Sequence, residues 1–147
     1  RLSDINAALG LSQLNRINKI LKARNRIVNI YRKLLKSDYI SFTKTYKNRT
    51  SSNHLFIIRL INPKLIQNHK VIIDYLLKNK ILVNIHYYPI YLHPYYKKIG
   101  FKKGYCPNAE KYYSSAFSIP VYEKMKNENL TFVCKKIQTI FDRILKN

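Results

Sequence analysis

A chain of 147 residues with 28 Lys+Arg against 7 Asp+Glu carries a formal net charge of +21 and is long enough to close one hydrophobic core. With 46% hydrophobic residues it is no disordered polycation, and no stretch approaches the roughly 18 uncharged apolar residues of a membrane-spanning helix. Two cysteines, Cys106 and Cys134, are too few for a disulfide framework and match no metal-knuckle spacing, so a cytoplasmic protein with reduced thiols is expected.

The first element is helical in period. Leu2, Ile5, Leu9, Leu14, Ile17, Leu21, Val28, Tyr31 and Leu35 recur at three- and four-residue steps, while Asn18, Lys22, Arg26, Asn29 and Lys33 take the other face. Ser3 is the expected N-cap and Asp4 sits in the first turn, where the helix dipole favours an anion. Running from Arg1 to Lys36 without interruption, such a helix would be about 50 Å long, so a break or a change of packing partner is expected near Gly10. Its apolar stripe needs a neighbour to cover it.

Beyond Asp38 the texture turns to β. Tyr39–Phe42 and His54–Ile61 are expected strands around a polar loop. Pro63 opens a helical stretch over Leu65–Lys78, with Ile66, Val71 or Ile72, Tyr75 and Leu76 facing inward, and residues 81–86 form a third strand. Pro89, Pro94, Gly100, Gly104 and Pro107 make 87–107 irregular. A short helix over Asn108–Phe117 capped by Asn108, a strand over Ser118–Tyr122 and a closing helix over Glu128–Leu145 complete the series. The fold class is α+β: a long N-terminal helix, then a small antiparallel sheet with helices packed on it.

The densest cluster of functional side chains runs from His86 to Tyr96, where imidazoles and phenols crowd a proline-ordered loop after a strand. It makes a poor zinc site, since His86 and His93 lack a third ligand at suitable spacing. Its chemistry suits either a base-stacking platform beside Lys97 and Lys98 or a loop whose tyrosines cover a sheet edge. The basic residues form no run of five or six, which favours a solvated lysine-rich surface over a phosphate-tracking face. No catalytic residue is singled out. The carboxylates are scattered, and three glycines cannot build the usual phosphate loops. Cys106, just before Pro107, reads as a plain thiol.

Three stretches carry a resemblance. Arg1-Leu-Ser-Asp-Ile-Asn-Ala-Ala-Leu-Gly-Leu-Ser-Gln-Leu14 resembles the "NYRLSDIQAALGLSQL" segment of the DegT/StrS family of sugar aminotransferases, fold-type I enzymes dependent on pyridoxal phosphate (PLP). Val83-Asn-Ile-His-Tyr-Tyr-Pro-Ile90 resembles the family's "VNVHYIPIH", and Tyr95 to Glu110, followed by Ser118-Ile-Pro-Val-Tyr122, resembles "PYYRKLGYKKGDCPNAE…SLPLY". The stretches follow one another in the family's order across the whole chain.

The resemblance implies an enzyme that moves an amino group from L-glutamate to a UDP-keto-sugar and works as a homodimer, with no membrane and no nucleic-acid partner. It implies that the lysine holding PLP lies upstream of the position matching Arg1, and that this chain is a C-terminal portion. Residues 1–36 would then be the end of a large domain and a connecting helix, and 37–147 a small α+β domain. Arg1 matches an arginine that reaches toward the cofactor phosphate. Asn84, Ile85, His86 and Tyr87 match the strand end and loop lining the nucleotide-sugar pocket. Tyr91 stands where the family has a second histidine, and Lys80 and Leu82 replace the glycines of "GIGVNVHY", so Asn79 is expected to take the left-handed turn there. Read from chemistry alone, a small basic nucleic-acid-binding module using the 86–96 loop is the competing interpretation.

Overall fold

A computed structural model describes residues 2–35, 38–44 and 46–146. Helix α1 (Asp4–Asn15) starts at Ser3, whose hydroxyl accepts from the Asn6 N–H at 3.4 Å. It runs through Gly10 and ends at Arg16, and α2 (Ile17–Leu34) follows directly. The break therefore falls six residues after the expected place. Nothing crowds Gly10, whereas Asn15 is a weak helix former and the Arg16 side chain is drawn to Glu123 at 3.1 Å. No residue of α1 is buried, while α2 buries Ile27, Val28 and Tyr31.

Strands β1 (Ile40–Phe42), β2 (Phe56–Leu60), β3 (Asn84–Ile85) and β4 (Ala116–Ile119) form one antiparallel sheet in the order β1-β2-β4-β3. The third strand is shorter than the 81–86 reading, and the last begins at Ala116 rather than Ser118. Register fixes the faces: Ile58 and Ile85 both pair with Phe117, and Ile57 and Asn84 both pair with Ser118. Residues opposed across a ladder share a face. Phe56, Ile58, Phe117 and Ile119 thus look toward the helices, and Ser118, Asn84 and Arg59 look the other way.

The helical layer consists of α2, α3 (Pro63–Gln67), α4 (His69–Lys78) and α7 (Asn127–Lys146). The single helix expected over Leu65–Lys78 is split at Asn68, and Asn62 caps α3 through bonds to the Lys64 and Leu65 N–H groups. Inward-facing residues of α4 are Ile72, Ile73 and Leu76, whereas Val71 is exposed. Helix α7 contributes Leu130, Val133, Cys134, Ile137, Ile140, Phe141 and Ile144 to the same core. Tyr31 is sealed in it: its ring stacks on Phe56 at 5.7 Å, its hydroxyl donates to the Pro120 carbonyl at 3.0 Å, and burial pushes its pKa well up.

Helix α4 ends in a Schellman closure. The Lys80 N–H donates to the Leu77 carbonyl and the Ile81 N–H to the Leu76 carbonyl, the bond pattern of a left-handed helix stop. Lys80 takes the positive φ of +60°. Asn79, expected there, stays at φ −87° with its amide donating to the Tyr75 carbonyl. Short helices α5 (Pro94–Lys98) and α6 (Pro107–Tyr113) lie in the segment between β3 and β4, and the α6 residue Tyr112 meets the Arg59 guanidinium on the sheet's second face at 5.5 Å. Helix α6 starts one residue before the expected Asn108 cap, because Pro107 supplies the fixed φ of a first helical position; Cys106 precedes it without a side-chain capping bond.

Candidate functional site

The resemblance points to the end of β3 and the turn that follows. Asn84 is exposed on the second face, and Ile85, half-buried, turns to the core face beside Phe117. His86 is only 7% exposed, and its Nε2 lies 2.7 Å from the Ser118 Oγ. The imidazole Nδ1 is enclosed without a hydrogen-bond partner. A cis peptide joins His86 to Tyr87, whose ring meets the imidazole edge-on at 4.8 Å and is itself 73% exposed. The four residues thus divide: Asn84 and Tyr87 present polar groups to solvent, and Ile85 and His86 anchor the turn. Arg1 lies outside the described residues.

Ser118 is a member of this cluster that sequence reading passed over. Its strand is buried along its whole length, so a lone hydroxyl among Ala116, Phe117 and Ile119 requires an internal partner. The available signal was the hydroxyl between Phe117 and Ile119, since a strand over 116–119 sends Ser118 to the face that Asn84 and His86 share.

The loop beyond is held by a carboxylate. Tyr91 donates its hydroxyl proton to the Glu110 Oε1 at 2.7 Å and accepts from the Cys106 N–H at 3.3 Å. The same Glu110 oxygen accepts from the Gly104 N–H at 2.6 Å. Partial desolvation, then the bond to Glu110, pushes the Tyr91 pKa up to about 12. The phenol, followed by the Gly104 amide, holds the Glu110 carboxyl below its usual range. A phenol at this position therefore fastens the loop to the head of α6. Tyr88 packs edge-on against both His93 and Tyr113, and Tyr96 against Tyr95 and Phe101, while Tyr87 and Tyr95 stay largely exposed.

Among the described residues no three or more His, Cys, Asp or Glu side chains gather as metal ligands, and no helix is long and apolar enough to cross a membrane. Cys106 is exposed, whereas Cys134 is buried, and its burial pushes the thiol pKa up to about 12. The described lysines are exposed except Lys136, half-buried on α7. A lysine bound covalently to a cofactor must be shielded from water to work at neutral pH. The described residues therefore do not build a PLP cage.

Comparison with known proteins agrees along the whole chain. The family profile described as "DegT/DnrJ/EryC1/StrS aminotransferase family" matches residues 1–138. The UDP-4-amino-4,6-dideoxy-N-acetyl-beta-L-altrosamine transaminase of Campylobacter jejuni serotype O:2 is 34% identical over 99% of this chain and 39% of its own length. Among solved structures, Helicobacter pylori PseC, an aminotransferase of pseudaminic acid biosynthesis, superposes with a TM-score of 0.87 at 28% identity, over 97% of this chain and 38% of that one. The PLP form of a sugar aminotransferase from Streptococcus pneumoniae, Spr1654, gives a TM-score of 0.88 at 29% identity, over 98% and 37%. The chain spans less than two-fifths of the length of the curated relatives it matches. The small antiparallel sheet and its helical layer match the fold of solved sugar aminotransferases, and the chain belongs to the DegT/DnrJ/EryC1/StrS aminotransferase family.

Proposed function

We propose that this chain is the C-terminal part of a PLP-dependent aminotransferase that passes an amino group from glutamate to C-4 of a UDP-4-keto-6-deoxy-HexNAc, as in pseudaminic acid synthesis. The observation that carries the reading is the match to the Campylobacter transaminase over 99% of this chain. In this reading residues 1–36 are the end of the large domain and the connecting helix, and 37–147 the small domain. The second half of α2 packs into the small domain's core through Ile27, Val28, Tyr31 and Leu35. The PLP lysine and most of the large domain would lie upstream of Arg1 in a longer polypeptide that works as a homodimer. Arg1 would reach toward the cofactor phosphate.

The contribution of this chain is to bind and orient the nucleotide sugar. Asn84 and the Tyr87 hydroxyl stand free to hydrogen-bond sugar and diphosphate oxygens. Ile85 anchors the turn on the core face beside Phe117, and His86, locked on Ser118, keeps it from collapsing. Rigid placement of donors matters because misplacement by about 1 Å can cost a hundredfold in rate.

The test is to read the gene upstream of the Arg1 codon, express the full polypeptide with PLP, and follow transfer of 15N from labelled glutamate to the keto-sugar nucleotide by mass spectrometry. Transfer is expected, with Asn84→Ala and Tyr87→Phe raising KM more than they lower kcat. An upstream sequence without a cofactor lysine, or a full-length protein that moves no nitrogen, would refute the reading.

A further inference from the structure

The loop between β1 and β2 lies against α2, and the cleft between them is rich in donors. Its inner part, about 190 Å³, is lined by Asn25, Asn29 and Arg32 from α2 and by Arg49, Thr50, Ser51 and Asn53 from the loop. It continues past Tyr46 and Lys44 into an outer part of about 370 Å³. Among the described residues no carboxylate lines either part.

The loop is pinned to α2 on both sides of this opening. On one side Asn53, at φ +47°, donates its N–H to the Ser51 Oγ at 3.1 Å and its amide to the Asn25 Oδ1 at 2.5 Å. On the other, the Arg32 guanidinium donates to the Thr43 carbonyl at 3.1 Å while lying over the Phe42 ring at 5.3 Å. Between the pins stand groups with little to do. Among the described residues the Arg49 guanidinium meets the Tyr46 ring, at 5.6 Å. The side chains of Asn29 and Thr50 make no hydrogen bond among the described residues.

Two guanidinium groups beside a cleft with no counter-charge repel each other, and an anion between them relieves that repulsion while taking bidentate hydrogen bonds. A carboxylate would use one fork. The added hydroxyls of Thr50 and Ser51 and the Asn29 amide match an acceptor with more oxygens, which is a phosphate. We propose that this cleft binds the phosphate group of a small ligand, either free phosphate or pyrophosphate or the diphosphate of a nucleotide. The site is separate from the turn after β3. The β1–β2 loop leads into Phe56, level with Ile119 of β4, whereas His86 follows Ile85 toward the other end of that strand. The proposal therefore stands or falls independently of the roles assigned to residues 84–87.

The experiment is a titration of the 15N-labelled chain with pyrophosphate at constant ionic strength, read by amide chemical shifts. Saturable shifts at Arg49–Asn53 and Asn29 with one equivalent bound are expected. Arg49→Ala should weaken binding about tenfold, and Lys102→Ala, which removes the same charge elsewhere, should leave it unchanged. Both substitutions sit on exposed positions, and unchanged shifts outside the loop will show that the fold survives. Non-saturating shifts, or equal weakening by the two variants, would overturn the proposal by reducing the effect to net charge. A parallel titration with UDP separates the sources: tighter binding than pyrophosphate assigns a nucleotide, and equal binding assigns the phosphate alone.

Discussion

Lys80 occupies the one position in the α4 stop where an L side chain is strained, because at φ +60° its Cβ approaches the following carbonyl. The Schellman bonds and the buried pair Leu76 and Ile81 hold it there. Lys80→Gly should raise unfolding stability by about 1 kcal/mol, seen as a higher urea midpoint with an unchanged m-value. His69 offers the opposite case. It is buried at the head of α4, rests near the Phe117 ring at 5.9 Å and has an Nε2 with no hydrogen-bond partner. Burial lowers its pKa, outweighing a backbone hydrogen bond at Ala116 that pulls the other way. The unfolded chain then binds the proton more readily than the folded one, so stability falls as pH drops below about 6.5. His69→Gln should flatten the stability profile between pH 7 and 5 relative to the parent, measured by urea unfolding at each pH.

Among elements, the 87–113 segment shows how a loop without long strands or helices keeps its shape. One carboxylate oxygen gathers the Tyr91 phenol and the Gly104 amide, and the phenol in turn receives the Cys106 amide. Tyr91→Phe removes the hub. Hydrogen exchange at Gly104 and Cys106 should then accelerate while α7 amides keep their protection, a pattern readable by exchange mass spectrometry. The sequence made the helices legible because α2, α4 and α7 each carry a 3.6-residue apolar period that buries one face. It did not reveal the break at Arg16, whose side chain meets Glu123 more than a hundred residues away. Nor could the pattern show that Ile81 and Val83 are buried outside any strand ladder, since burial alone gives the same apolar letters. At the proposed site, side-chain chemistry drew attention to His86 and Tyr87, whereas Asn84 and Ile85 were named by family likeness alone. Ser118 and Glu110 were missed because each becomes meaningful only when strands or loops distant in sequence are brought together.

In the whole molecule, exposure is unevenly distributed. Helix α1 turns Ile5, Leu9, Leu11 and Leu14 to solvent, apolar residues on several sides of a helix that touches little beyond α2. A helix of this length is marginal in water without tertiary contacts, which accords with the proposal that a larger domain and a partner subunit enclose it. Its amides should therefore exchange faster than those of α2 from Ile27 onward in this chain, and slow down in the full-length dimer. The +21 charge is similarly uneven in effect: Arg16 and Lys19 meet Glu123, whereas the cleft beside Arg32 and Arg49 meets no counter-charge.

The chain has thirteen tyrosines and no tryptophan, so its near-ultraviolet spectrum belongs to phenols. Tyr31 differs from the exposed ones in being walled in by Phe56 and the Pro120 carbonyl. An exposed phenol ionises near pH 10, but this one cannot become phenolate without opening the core. Stability linked to it is complete below that pH and drains away above it, because the unfolded chain releases the proton more easily. In an alkaline titration followed at the phenolate band, a late, cooperative step should coincide with loss of helical circular dichroism. Tyr31→Phe should abolish that step's share of the absorbance, giving the core a spectroscopic clock that needs no added label.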